Sequence, residues 1–438
     1  MVESPPALTS EMMTNTVMRM TDPKVLAAVS EINQKYLYWS DVKYKRVGSL
    51  TDEELWAAVK LSRYGLYSSR WPHYMISAPV TKQMQEMCHY FDMNFGGTWG
   101  TNSIIPKEGR ETFLTSSVME EAIASSQIEG ASTTRRVAKN MLRRNISPRT
   151  KAEQMIHNNY AAIRFITENK EAPLTEDIIL RLHEIMTENT LDNPEDAGRF
   201  RTNDDVVVVD SISGEVVHTP PRHGEIPAFI KDLCSFANTV GSGNDFLHPI
   251  IKAIFIHYLV AFYHPFVDGN GRAARALFYW YMLKSGYWLT EYLSISRIIY
   301  RSKQSYEKAY LYSERDGNDI GYFITYNLRV LKLAFEELKN YIELKISQKQ
   351  HSFDLLSIGG INYRQATILS MLRDNPSLVL SVSDVVAKFN ISKPTAFADV
   401  SLLVKRELLK RIPINKKQSN YVKGPKFDEV LALFASKI

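Results

Sequence analysis

The chain has 438 residues, 45% hydrophobic and 23% charged, with a net charge of +5. That balance excludes a disordered or fibrous protein and implies two or three globular domains. Two cysteines, Cys88 and Cys234, exclude a disulfide framework and fit a reducing compartment. No apolar run reaches membrane-spanning length, and the start MVESPPALTSEMM lacks a secretory pattern, so a cytoplasmic protein without a membrane partner is expected.

In chain order, residues 1–112 read as helices over about 9–36, 51–70 and 80–92, followed by a loop at FGGTWGTNSIIPKEGR. Thr51 caps the second helix. In the next helix Val118, Ala122, Ser125 and Glu129 share one face, and Gly130 is its C-cap candidate. Helices are expected over 131–145, 149–169 and 175–190, the last opened by Thr175. The runs Asp204–Val209 and Glu215–His218, separated by DSISG, predict a β-hairpin that Pro220 and Pro221 end.

After a helix at 226–239, His248-Pro249 opens IIKAIFIHYLVAFY, apolar on more than one face and therefore central. It stops at His264, because Pro265 disfavours helix at the residue before it. His248 and His257 read as capping or packing residues, and no Cys/His cluster suggests zinc.

The stretch from His264 to Arg275, HPFVDGNGRAAR, carries the chemistry. Asp268 is a hard oxygen ligand of the kind Mg²⁺ shares with substrate phosphates. Gly269 and Gly271 let backbone amides approach an anion closely, with Asn270 between them. A helix from Ala273 presents its N-terminus, and Arg272 and Arg275 lie three residues apart on its first turn. His264 is a base titrating near neutrality.

Downstream, Tyr306 and Tyr310 lie one turn apart, and a helix over 320–348 runs into KISQKQHS, read as a linker. Helices at 361–374, 383–389 and 393–406 then precede strands Leu409–Ile414 and Asn420–Lys423 around a basic tip, NKKQSN. From Ser381 to Ile438 there are 11 Lys/Arg against 5 Asp/Glu, so the basicity belongs to this C-terminal part.

HPFVDGNGRAAR matches every defined position of the HPFxDGNGRxxR signature of the Fic family, whose members commonly transfer AMP from ATP to a protein hydroxyl. Ser125, Glu129 and Gly130 fit the S-x-x-x-E-G inhibitory motif that accompanies such domains. The resemblance implies a mainly α protein: a helical N-terminal region (1–112), a Fic-type core (113–348) and a C-terminal winged helix-turn-helix (352–438). The core would hold an inhibitory helix (113–130), a flap hairpin (204–219) and the motif loop (264–275).

In that picture His264 takes the hydroxyl proton, Asp268 holds Mg²⁺ and Arg272 grips the β-phosphate. Arg275 grips the γ-phosphate unless Glu129 occupies it, and Tyr306 lines the adenine pocket. Val216, Val217, His218 and Thr219 of the flap dock the target by strand addition. The target could be this protein itself, and a homodimer stays open.

The last three helices and two strands look like a winged helix, in which Lys393, Thr395, Lys405, Arg411, Lys416 and Lys417 would meet DNA. Such domains also serve as dimerisation or docking modules. Relatives with the same signature transfer phosphocholine or remove AMP, and the sequence does not separate these from AMP transfer. A phosphate-transferring branch alters the motif, which is intact here. The alternative of another class is an ATP-sensing DNA-binding regulator; an intact His264 argues for chemistry, since sensing needs no base.

Overall fold

The computed structural model describes residues 2–95, 110–210, 213–356, 359–415 and 418–430. The loop expected at 95–110 and the lysines Lys416 and Lys417 lie largely or wholly outside them. The chain divides into two compact units, Met1–Leu338 and Lys339–Ile438. Among the described residues no helix is long and apolar enough to cross a membrane.

The first unit opens with α1 (Ser10–Arg19), α2 (Pro23–Lys35), α3 (Trp39–Val42) and α4 (Asp52–Tyr64). The single helix expected over 9–36 is two, because Asp22 caps a new start and Pro23 sits in its first turn. Thr51 and Glu54 form a reciprocal capping box on α4. That helix ends at Tyr64, earlier than expected, and Tyr67–Arg70 is instead β1, paired antiparallel with β2 (Ser77–Pro79). Then come α5 (Lys82–Phe95), α6 (Arg110–Ile128), α7 (Arg135–Arg144), α8 (Lys151–Glu168) and α9 (Glu176–Thr187).

Gly130 (φ +91) closes α6, with the Ala131 N–H reaching back to the Ser126 carbonyl and the Gly130 N–H to Gln127. The hairpin is β3 (Val208–Val209) and β4 (Val216–His218), with Val209 opposite Val216 and Val208 opposite His218. Next are α10 (Ile226–Asn238), α11 (Pro249–Tyr263), α12 (Asn270–Lys284), α13 (Ile295–Arg301), α14 (Lys303–Arg315) and α15 (Gly321–Leu356), whose residues from Lys339 onward belong to the second unit. Helix α15 extends through KISQKQHS, so that stretch is helical and not a linker. A polar run without Pro or Gly satisfies a solvated helix as well as a linker, and composition alone does not separate them.

The core sits on α11 and α12. Every residue from Ile250 to Val260 is buried, as is nearly every residue of α12. The N-terminal helices reach this body through buried charges. Lys60 Nζ lies 2.8 Å from Asp316 and 3.2 Å from Asp319, while Arg63 donates to the Tyr322 hydroxyl at 2.6 Å. Removing one member would strand buried charge, so this cluster fixes the turn that follows α14.

The second unit packs α16 (Tyr363–Asp374), α17 (Val382–Phe389) and α18 (Lys393–Lys405) against a three-stranded sheet. Its strands are β5 (Leu380–Ser381), β6 (Leu409–Pro413) and β7 (Ser419–Lys423), in the order β5-β7-β6. Strand β5 was not anticipated; two residues are too few to show alternation. Leu369, Leu372, Val400, Leu403, Leu409 and Tyr421 form its core. Asn390 turns in the left-handed region (φ 50), Ser392 caps α18, and Pro394 lies in its first turn.

Candidate active site

Helix α11 ends with His264 in the left-handed region (φ 48), and its N–H still reaches the Val260 carbonyl. The imidazole folds back, so Nδ1–H donates to the Ala261 carbonyl at 2.7 Å. That bond fixes the tautomer and leaves Nε2 with its lone pair and no hydrogen-bond partner among the described residues. Burial lowers the His264 pKa from its ordinary 6.5; nearby His218 and Arg201 act the same way, while the Ala261 carbonyl and Glu129 oppose. The ring is therefore neutral and able to accept a proton at pH 7.

The loop after His264 is held from within. Asn270 accepts the Phe266 N–H at 2.9 Å and donates to the Phe266 carbonyl at 2.8 Å. Its side-chain amide is thus committed to closing the loop, and any contribution to anion binding falls to backbone. Phe266 is fully buried and stacks on His183, with ring centroids 3.8 Å apart. His183 Nδ1 accepts the Gly198 N–H at 3.1 Å, so Nε2 donates to the Asp268 carbonyl at 2.9 Å. Burial pushes the His183 pKa down to about 4, keeping it in this neutral, bridging form.

Helix α12 begins at Asn270, three residues earlier than expected, with Gly269 (φ +84) as its N-cap and no side chain capping its amides. An uncapped N-terminus attracts an anion. A Cβ on Gly269 would stand 3.2 Å from Thr187 Cγ2 in a backbone region that L residues avoid. Gly269→Ala should therefore cost about 1–3 kcal/mol of stability, seen as a lowered midpoint in thermal or denaturant unfolding.

Both motif arginines are buried but differently employed. Arg272 donates through Nη1 to the Met186 carbonyl at 2.9 Å, and its Nη2 lies 3.7 Å from Asp268. Among the described residues its Nε and Nη2 have no hydrogen-bond partner. Buried guanidinium donors of this kind suit the oxygens of an anion. Arg275, by contrast, is filled. Its Nε donates to the Ser125 hydroxyl and Nη2 to the Ser125 carbonyl, each at 2.9 Å, and Nη2 meets Glu129 Oε1 at 2.8 Å.

The Glu129 carboxylate lies over Gly271, where a Cβ would come within 2.2 Å of Oε1. Burial alone would raise the Glu129 carboxyl, but Arg275, with Arg272 and His264 behind it, holds it below the ordinary carboxylate range. The helix that ends just before it is pinned one turn before Ser125, where Glu121 accepts the Ser296 N–H at 2.8 Å.

These groups open into one cavity of about 330 Å³, lined by Glu129, His264, Asp268–Gly271 and Arg275, by Val206–Asp210 with Val217 and His218, and by Lys303, Tyr306 and Tyr310. The Tyr306 hydroxyl contacts His257 Nε2 at 2.9 Å. Val216 and Thr219 are exposed on the hairpin, whereas His218 is anchored, Nε2 to the Phe262 carbonyl at 2.7 Å and Nδ1 to Glu314 at 3.0 Å. Burial alone would lower the His218 pKa, but Glu314 and then the carbonyl hold it raised.

Asp268 is half exposed at the cavity. Among the described residues no three His, Cys, Asp or Glu side chains cluster as a metal cage. One open carboxylate fits a Mg²⁺ ion that takes its other ligands from substrate phosphates and water. In the second unit Lys393, Lys405 and Arg411 are exposed and Thr395 is half-buried beside Ser392. Sequence reading missed His183 and Arg201, whose partners are mostly main-chain atoms.

The fold and site define a helical domain in which a neutral histidine stands before an anion-binding helix N-terminus. Residues 173–282 match the model of the Fic/DOC family and are a domain of that family; residues 359–415 match the MarR family, a winged-helix type. Over 128 residues the chain is 30% identical to proteins named protein adenylyltransferase Fic from Drosophila persimilis and Drosophila virilis. The match takes in 29% of this chain and 23% or 24% of theirs, so it spans about a quarter of those relatives. Among solved structures, a Fic family protein from Desulfovibrio desulfuricans G20 aligns at 18% identity and TM-score 0.48, over 79% of this chain and 97% of that one. Fic-1 from C. elegans aligns at 18% identity and TM-score 0.49, over 76% and 88%.

Proposed function

We propose that this protein is an autoinhibited adenylyltransferase that moves AMP from ATP to a Ser, Thr or Tyr hydroxyl on a protein. One observation carries the reading: His264, whose Nε2 is left open, lines the same cavity as the uncapped N-terminus of α12 and the buried Arg275. The hydroxyl oxygen attacks the α-phosphorus and its proton passes to His264 Nε2. The bond from the α-phosphorus to the bridging oxygen breaks, and pyrophosphate leaves. Arg272 offers its open donors to the β-phosphate and the amides of α12 face the developing charge. A magnesium ion held by Asp268 would neutralise phosphate charge. Incubating the protein with ATP labelled at the α- or the γ-phosphate tests this: only the α label should enter protein. Transfer of the γ label would replace the reading with phosphoryl transfer, and no transfer from an activated variant would favour nucleotide sensing.

For the second unit we propose duplex DNA as the partner, through α18 and the β6–β7 wing. Lys393 and Arg411 are exposed there, and the sequence between β6 and β7 adds Lys416 and Lys417. Affinity of the full chain should fall steeply with salt, and Lys393→Ala with Arg411→Ala should reduce the log–log slope by about 0.9 each. A second reading has its own observation. Phe397 is 50% exposed on the same helix, which suits protein docking. Absence of duplex binding at low salt would select it.

A further inference from the structure

The last carbonyls of a helix have no partners within it, and burying them without any is costly. At the end of α11 they are satisfied from one direction. The His264 ring takes the Ala261 carbonyl, and His218 of the flap takes Phe262. Arg201 takes Tyr263 through Nη2 at 3.5 Å and the two carbonyls that follow the helix: Nε donates to His264 at 2.9 Å and its backbone N–H to Pro265 at 2.9 Å. The same guanidinium holds both feet of the hairpin. Nη1 donates to the Asn203 carbonyl at 2.8 Å and to Asp204 Oδ1 at 3.0 Å, while Nη2 also donates to the Pro221 carbonyl. Asp204 closes the ring by accepting the His223 N–H at 2.6 Å.

We infer that Arg201 is a positioning residue that locks the base His264 to both ends of the flap hairpin, so that the proton acceptor and the strand presenting the hydroxyl are set by one side chain. The arginine side chain is 1% exposed, and its carboxylate partner among the described residues, Asp204, is half exposed. Most of its donors therefore serve main-chain carbonyls, a job that a planar fork does and an ammonium does not. The favourable end of the helix dipole adds to the pull of the cation. The left-handed backbone of His264 is an unfavourable conformation that persists only where its surroundings hold it, and Arg201 bonds to the carbonyls on either side of that residue as well as its own. A displacement of about 1 Å here would misalign base and hydroxyl together, on the order of 10²-fold in rate.

The role of His264 as base rests on the proposed function; the mechanical coupling does not, and the test separates them. In hydrogen exchange of the full chain, Arg201→Gln and Arg201→Lys should both speed exchange over 203–221 and over 261–268 by on the order of tenfold. Peptides from α4 and α15 should stay at wild-type rates. In a Glu129→Gly background, Arg201→Lys should lower AMP incorporation by about 10²-fold with the dissociation constant of ATP unchanged within twofold. Methylguanidinium should restore part of the activity and of the protection to Arg201→Ala, and nothing to the activity of His264→Ala. Faster exchange in only one segment, exchange rising throughout the molecule, or full activity in Arg201→Lys would each overturn the inference. If Glu129→Gly itself transferred no AMP, the functional reading would fall while the exchange data still decided the coupling.

Discussion

Replacing His264 by alanine should lower AMP transfer by about 10²–10⁴-fold, the usual loss on removing a general base, and leave ATP affinity within a few-fold. The split follows from the geometry. The groups suited to phosphate are the α12 N-terminus, Arg272 and Arg275, and none of them hydrogen-bonds to the His264 side chain. Binding and proton transfer are separable functions of one cavity. The pH dependence carries a sign. Burial lowers the His264 pKa below 6.5, so the neutral, active form dominates through neutrality and activity is lost as pH falls through that lowered value. The groups facing the ring that set this limb are His218 and Arg201, which disfavour its protonation, and Glu129, which favours it. Removing Glu129 should therefore move the acid limb further down. Initial rates of labelled AMP incorporation across that range, with equilibrium ATP binding measured on the same variants, check both statements. A His264→Ala protein that kept wild-type transfer would show that the proton goes elsewhere.

How much of this was legible in the chain depended on where each partner lies. The motif loop packs titratable, glycine and arginine residues so densely that spacing alone suggests phosphate chemistry. The phase of α6 likewise brought Ser125 and Glu129 to one face, and both meet Arg275. The hidden part uses main chain. His183 holds the Asp268 carbonyl and Arg201 holds several others, bonds that leave no mark in residue type because any residue supplies a carbonyl. Asn270 misled in the opposite sense: a polar residue between two glycines looks free for a ligand, yet its amide closes the loop on Phe266. The start of α12 is hidden in the sequence because Gly-Asn-Gly has the composition of a turn. Here it is a left-handed cap followed at once by helix. Strand β1 was hidden in the same way, since YSSR following a helix offers no apolar alternation.

Replacing Glu129 by glycine should raise AMP incorporation, including self-modification, well above wild type. Arg275 illustrates why. Its guanidinium already binds the Ser125 hydroxyl, the Ser125 carbonyl and the Glu129 carboxylate, so a γ-phosphate finds that fork taken. Glu129 also lies over Gly271 at the α12 N-terminus, the position an anion would seek, and its carboxyl is held ionised, so it repels phosphate as well as excluding it. ATP bound past this obstacle would present its α-phosphorus off line, and an error near 1 Å is worth on the order of 10²-fold in rate. Glycine removes the carboxylate and leaves Ser125 to hold the arginine in place. The control is the double variant Glu129→Gly with Arg275→Ala, which should lose much of the gain because the released guanidinium is what aligns the γ-phosphate. A carboxamide at the same position, Glu129→Gln, keeps the volume but not the charge, and should fall between wild type and glycine if charge and bulk both obstruct. Labelled AMP incorporation by the four proteins at equal protein and ATP concentrations decides the matter. Equal rates for wild type and Glu129→Gly would make residues 113–130 a plain structural helix, with the Arg275 ion pair contributing only to packing.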